Sequence, residues 1–232
     1  MNLLALETST EACSVALLSD GMLFARSEIA PRRHAELLLP MCEAVLAEAG
    51  VTRRQLDAIA VGRGPGAFTG VRLAISAAQG IALALDIPVL PVSSLAALAL
   101  DAPQDASSIL AVIDARMGEI YAGTFTRGSD GLVREIGSET VGPAEALRVS
   151  PGRRWDIVGS GWDTYAEVIA ARLDANPRSA RGLCYPQAAA VARLAAPRFA
   201  AGQGVVAEQA LPVYLRDKVA LTTSERTGAT PR

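Results

Sequence analysis

The chain opens on three short apolar runs separated by turn-forming residues. Asn2–Glu7 stops at Thr8-Ser9-Thr10, Cys13–Ser19 stops at Asp20-Gly21, and Met22–Glu28 follows. An Asp-Gly pair between two such runs is a strong hairpin signal, so the opening predicts three strands in an antiparallel meander. The period then changes. Across Pro31–Gly50, Leu37, Leu38, Met41, Val45 and Leu46 recur at spacings of three and four. That spacing predicts a helix with one apolar face, and Gly50 is a good stop for it. Pro40 removes one helical hydrogen bond and predicts either a kink or a later helix start. Thr52 and Gln55 have capping-box spacing and predict a short helical turn. Ala58–Val61 reads as a buried strand, Val71–Leu85 as a helix and Pro88–Val92 as a strand, with Ser93-Ser94 capping a last helix through Leu100.

The second half repeats this outline. Ile109–Ala115 is an apolar strand carrying an acid, Asp114, near its end, as the first strand ends in Glu7. Glu119–Thr126 and Leu132–Ile136 read as further strands around a turn at Gly128–Gly131. Gly142–Val149 predicts a short helix, and Trp155–Val158 a strand followed by Gly159-Ser160-Gly161. Trp162–Leu173 and Gln187–Ala200 have helical spacing. Three meandering strands followed by α/β crossovers is the order of a ribonuclease-H-like half, and a second copy predicts a duplicated unit. The expected fold class is therefore α/β, with two domains that each hold a mixed sheet flanked by helices. The polar stretch Asp101–Ser107 suggests domains of 1–104 and 105–232. The tail after Tyr214 has little to bury and is expected to be mobile from about residue 220.

Composition narrows the functional classes. The formal net charge is −2, and the arginine pairs Arg32-Arg33, Arg53-Arg54 and Arg153-Arg154 are scattered. A protein that grips nucleic acid alone usually carries a basic stripe, so any role with RNA is expected to need a partner. Cys13, Cys42 and Cys184 are far apart and form no CxxC pair, which predicts free cysteines in a reducing compartment. The N-terminus lacks a basic region before its apolar run, and no long apolar run escapes interruption by charge, glycine or proline. A cytoplasmic protein is expected.

The best-marked segment is the corner Gly62–Arg72, GRGPGAFTGVR. Glycines between a strand and a helix let backbone N–H groups approach an anion at the helix N-terminus. Gly62, Gly64 and Ala67 match a loose G-x-G-x-x-A. A dinucleotide site would want an acid at the end of the next strand, which ends instead in Ser93-Ser94. A P-loop needs Gly-Lys-Ser/Thr, and Lys218 is the only lysine. Tight turning and close helix–sheet packing explain the glycines equally well. Glu7, Thr8, Ser9, Gly64, Gly66 and Asp114 remain weak candidates for holding phosphate or magnesium across an interdomain cleft. No cofactor is expected, and with His34 the only histidine, neither is a two-histidine metal site. The helix Val71–Leu85 is apolar nearly all round, with Arg72, Ser76, Gln79 and Gly80 as a thin polar line. Such a helix is covered on more than one side, by a second helix of the same chain or by a partner subunit. The candidate partner-binding residues are Leu37, Leu38, Met41, Val45, Arg72, Ile75, Ser76, Ala78 and Gln79.

Five segments carry a resemblance to a known family. They are LLALETSTEACSVAL, RRHAELLLPMCEAVLAEAG, the corner with its helix, VIDARMGEIYAG and PVYLRDKVA. Together they closely resemble the TsaB family, bacterial accessory proteins for threonylcarbamoyladenosine synthesis on tRNA, from Leu3 to about Val219. The resemblance implies an actin-like, duplicated ribonuclease-H-like fold. It also implies a heterodimer with the paralogue TsaD through the N-terminal helices, joined by the ATPase TsaE, with tRNA met only through the complex. A homodimer of the isolated chain stays open. TsaD transfers threonylcarbamoyl to adenosine 37 of tRNAs reading codons that begin with adenine. The paralogue carries an HxxxH metal motif after the strand matching Pro88–Val92, and here Ser94 and Leu98 stand at those positions. A non-catalytic subunit is the expectation. The alternative is an active ATP-dependent kinase of the actin-like superfamily.

Overall fold

The computed structural model describes residues 1–216. The expected mobile tail and Lys218 lie outside the described residues. The first sheet holds β1 (Asn2–Glu7), β2 (Ala12–Ser19), β3 (Met22–Ile29), β4 (Ala58–Gly62) and β5 (Val89–Val92), in the order β3-β2-β1-β4-β5. The Asp20-Gly21 hairpin sets β2 against β3, and β4 and β5 run parallel to β1. The second sheet holds β6 (Ile109–Arg116), β7 (Glu119–Arg127), β8 (Val133–Glu135), β9 (Thr140–Pro143), β10 (Asp156–Val158) and β11 (Ser179–Arg181). Its order, β11-β10-β6-β7-β8, repeats the first: an antiparallel meander on one side of the leading strand and parallel strands on the other.

Strand alternation divides each sheet into two faces. Leu4 and Leu6 of β1 join the layer under α1 (His34–Ala49) and α2 (Phe68–Leu85). Leu3 and Ala5 face the other way and meet Ala188, Val191, Ala192 and Ala195 of α5 (Ala188–Ala200). In the second sheet, Ile109, Ala111 and Ile113 pack under α3 (Ser94–Ala99). Leu110 and Val112 pack with Trp155 and with Ile169 of α4 (Ser160–Ala170). The halves are interleaved: α3 precedes the polar Asp101–Ser107 stretch yet covers the second sheet, and α5 returns from the second half to cover the first.

Several expectations are refined or corrected. The helix expected over Pro31–Gly50 starts at His34 and runs through Pro40, ending in the left-handed Gly50. Thr52 and Gln55 form the expected box, with the Thr52 N–H donating to Gln55 Oε1 at 2.9 Å. Gly142–Val149 is not a helix. Its start is β9, which pairs with the N-terminal half of β7 beside the stretch taken by β8, and only a 3-10 turn at Ala144–Ala146 follows. Gly142 and Pro143 oppose a helix there, and the open edge of β7 offers hydrogen bonds instead. Strand β11 carries no apolar alternation. It is held by the fully buried Asp156, whose carboxylate accepts from Arg178 Nε at 2.8 Å and from the Ser179 hydroxyl at 2.5 Å.

Helix α2 is long and apolar enough by length and composition to cross a membrane, although Arg72 and Gly80 interrupt its apolar run, as expected from the sequence. It lies instead along the first sheet, with Val71, Ala74, Ile75, Ala78 and Ala82 in the core.

Candidate functional site

The glycine corner is explained by what stands against it. A Cβ at Gly62 would overlap the Glu7 carboxylate, one at Gly66 the Ser9 carbonyl, and one at Gly70 the Thr8 carbonyl. The turn Thr8–Thr10 after β1 therefore lies in direct contact with the corner. The Ala67 N–H donates to the Ser9 carbonyl at 2.7 Å, and the Thr8 hydroxyl donates to the Gly70 carbonyl at 2.7 Å. Gly64 has a positive φ of 87°, which glycine adopts at little cost, and its carbonyl accepts from the Ser94 N–H. The Ser9 and Ala67 N–H groups are thus engaged within the chain, by the Glu7 carboxylate and the Ser9 carbonyl.

Glu7 sits behind this layer. It is fully buried; Oε1 accepts from the Ser9 N–H and Oε2 from the Ser94 hydroxyl, both at 2.7 Å. Burial pushes its carboxyl above the usual carboxylate range, and the hydrogen bonds from Ser9 and Ser94 oppose that only in part. Leu98, one turn on from Ser94, is buried in the core of the second sheet. A hydroxyl committed to a carboxylate and an aliphatic side chain do not make a metal donor pair. Among the described residues no group of three or more His, Cys, Asp and Glu side chains could hold a metal ion.

Of the acids expected to face each other, only Asp114 reaches the cleft between the halves. A cavity of about 360 Å³ opens there, lined by Ser9, Thr10 and Gly66 on one wall and Asp114 and Tyr121 on the other. Asp114 accepts from the Arg116 N–H at 2.8 Å and guanidinium at 3.0 Å. Arg116 also pairs with Glu11 across the cleft. His34 Nε2 donates to the Thr10 carbonyl at 2.9 Å, so the lone histidine braces the turn after β1. The 211–216 segment bridges both halves: the Val213 N–H donates to the Arg63 carbonyl at 2.9 Å, and Arg216 bonds the Ala115 carbonyl and Glu119. Sequence reasoning missed Thr10, Arg32, Arg116, Tyr214 and Arg216. The arginines were part of a scattered background, and only the fold brings them to one place.

The expected partner-binding residues fall into two groups. Leu38, Val45, Ile75 and Ala78 are buried in the chain's own core and have no surface to offer, because the helical period turns them toward the sheet. Leu37, Met41, Arg72 and Gln79 are partly exposed and Ser76 is exposed. The outer face of α2 also shows Thr69, Gly80, Leu83 and Ala84, with Leu83 68% exposed. At its N-terminal end the Arg72 guanidinium lies 3.1 Å from the Phe68 ring centre and 4.5 Å from that of Tyr214. Gln79 is tied by its Nε2 to the Ala210 carbonyl at 3.2 Å.

Known proteins agree with this architecture. A family model described as "TsaD: tRNA N6-adenosine threonylcarbamoyltransferase" matches residues 26–223. The "tRNA threonylcarbamoyladenosine biosynthesis protein TsaB" of Escherichia coli K12 is 39% identical over 225 residues, covering 95% of this chain and 96% of that protein. The protein of the same name from Haemophilus influenzae is 38% identical, covering 94% and 95%. The solved structure of YeaZ from Pseudomonas aeruginosa superposes with a TM-score of 0.86 at 49% identity, over 92% of this chain and 99% of that one. With this identity along nearly its whole length, and with the duplicated sheet order and glycine corner described above, the chain belongs to the TsaB family.

Proposed function

We propose that the protein is a non-catalytic subunit required for forming threonylcarbamoyladenosine at position 37 of tRNAs that read codons beginning with adenine. It acts by binding and supporting the catalytic paralogue TsaD, together with the ATPase TsaE, in the cytoplasm. Two relatives at 38–39% identity carry the biosynthetic role in their names. The observation that carries the non-catalytic reading is the Glu7–Ser94 hydrogen bond. It closes off the position where the family resemblance places a metal ligand in the paralogue, and Leu98 fills the other. The corner serves chiefly to bring β1 and α2 together, and α2 presents its outer face, from Thr69 through Ser76 and Gly80 to Leu83, as the partner surface.

Co-purification tests the partner assignment. Tagged TsaD from the same genome is expected to capture the wild-type chain and to lose a Ser76→Arg variant whose circular dichroism is unchanged. Capture of that folded variant at wild-type yield would move the interface elsewhere.

A further inference from the structure

The cleft carries features that the partner role leaves unused. Helices α1 and α2 both begin on its wall, at His34 and at Ala67-Phe68, and no side chain caps either first turn. Uncapped N–H groups and the positive end of a helix dipole favour an anion. Ser9 and Thr10 line the same cavity, both more than nine-tenths buried, and their hydroxyls have no hydrogen-bond partner among the described residues. A buried, unpaired hydroxyl is costly unless something else satisfies it.

Charge points the same way. Arg32, Arg116 and Arg216 line the cavity against Glu11 and Asp114. Arg116 is paired with both of these acids, and Arg216 with Glu119 outside the lining. Arg32 has no carboxylate partner among the described residues. Arg32 and Arg116, on opposite lips, also hold left-handed backbone with φ of 70° and 63°, where glycine would be less strained. The remaining wall is apolar: Val71, Ile113, Tyr121, Val213 and Leu215. The volume lies at the small end of ligand cavities.

We infer that this cleft is a binding site for a small organic anion, a carboxylate or phosphate monoester on a compact apolar body, with its oxyanion held by Arg32, the Ser9 and Thr10 hydroxyls and the N-terminus of α2. The site meets the outer face of α2 only at the first turn of the helix and stands whether or not that face docks a partner.

Phenyl phosphate and benzoate are the probes, with inorganic phosphate as the reference, titrated into the full chain by calorimetry and followed by amide NMR. Saturable one-to-one binding of at least one aromatic anion, tighter than inorganic phosphate, is expected, with shifts centred on Phe68–Gly70. Preference between the two distinguishes a phosphate ester from a carboxylate. Arg32→Gly suits the left-handed backbone and leaves the fold intact, and it should weaken binding about tenfold. Thr10→Val, which keeps the shape and removes the hydroxyl, should weaken it as well. No saturable binding at millimolar concentrations, shifts centred elsewhere, or equal affinity in Arg32→Gly would overturn the assignment.

Discussion

The Ser94 hydroxyl donates a 2.7 Å hydrogen bond to the carboxylate of Glu7, a residue 87 positions earlier in the chain. That bond joins the end of β1 to the start of α3 and buries an acid with two donors. Ser94→Ala would leave Glu7 Oε2 without its donor and should cost about 1–3 kcal/mol in chemical denaturation. Ser94→His, offered as a restored metal ligand, should destabilise more, because Ser94 has no exposed surface and the larger ring has no room.

Glu7 also sets a pH dependence. Its folded-state pKa lies above the ordinary 4.5 because burial disfavours the charge. The native state therefore holds this proton more tightly than the unfolded chain does. Its contribution to stability is full below the unfolded value and is lost as pH rises through the raised folded value. Glu7→Gln should remove that part of the slope while keeping both contacts, since a Gln amide can donate to Ser94. Unfolding curves at several pH values check this; an unchanged slope in Glu7→Gln would assign the dependence to other groups.

Glycines in the two environments should respond in opposite directions. Gly66→Ala and Gly70→Ala push a methyl into the backbone of Thr8 and Ser9 and should destabilise severely, by several kcal/mol. Gly80 lies on the exposed face of α2 with nothing within 4 Å of a built Cβ. Gly80→Ala should stabilise the isolated chain by about 0.5–1 kcal/mol through helix propensity. Thermal denaturation separates the two outcomes.

The architecture was legible where the physics is local. The Asp20-Gly21 hairpin, the apolar period of α1, the Ser93 cap and the succession of strands and helices along the first half follow from residues close in sequence. Where non-local pairing decides, the pattern was silent. Strand β11 forms because Asp156 is buried and finds Arg178 and Ser179, and β9 forms because β7 has an open edge. The site was harder. Apolar spacing marked α2 as doubly covered but could not say that Ile75 and Ala78 face its own sheet while Ser76 and Leu83 face out. The cleft arginines carry no motif, so only the meeting of two turns reveals them.

That division of α2 gives a paired prediction. Ile75→Arg buries a charge in the core of the first sheet and should unfold the chain, with loss of circular dichroism signal. Ser76→Arg, one position on, should leave stability within about 0.5 kcal/mol. If both variants unfold, the outer face of α2 is not open surface in the isolated chain.

The thiols should be inert in the native state. Burial pushes Cys42 up to about 12 and Cys13 up to about 11, so neither holds appreciable thiolate near neutrality. A thiol-reactive chromophore should label all three cysteines only after unfolding, and fast labelling of Cys42 in the folded chain would contradict its placement on the buried face of α1.

The central claim is that this protein is needed for threonylcarbamoyladenosine formation and works through the outer face of α2 rather than through chemistry of its own. The most direct measurement is the threonylcarbamoyladenosine content of bulk tRNA, by mass spectrometry, in cells depleted of the protein and complemented with variants. The account predicts loss of the nucleoside on depletion, full recovery with wild type, and no recovery with the folded Ser76→Arg variant. An unchanged level after depletion would contradict the functional assignment, and full recovery with Ser76→Arg would contradict the role of that face.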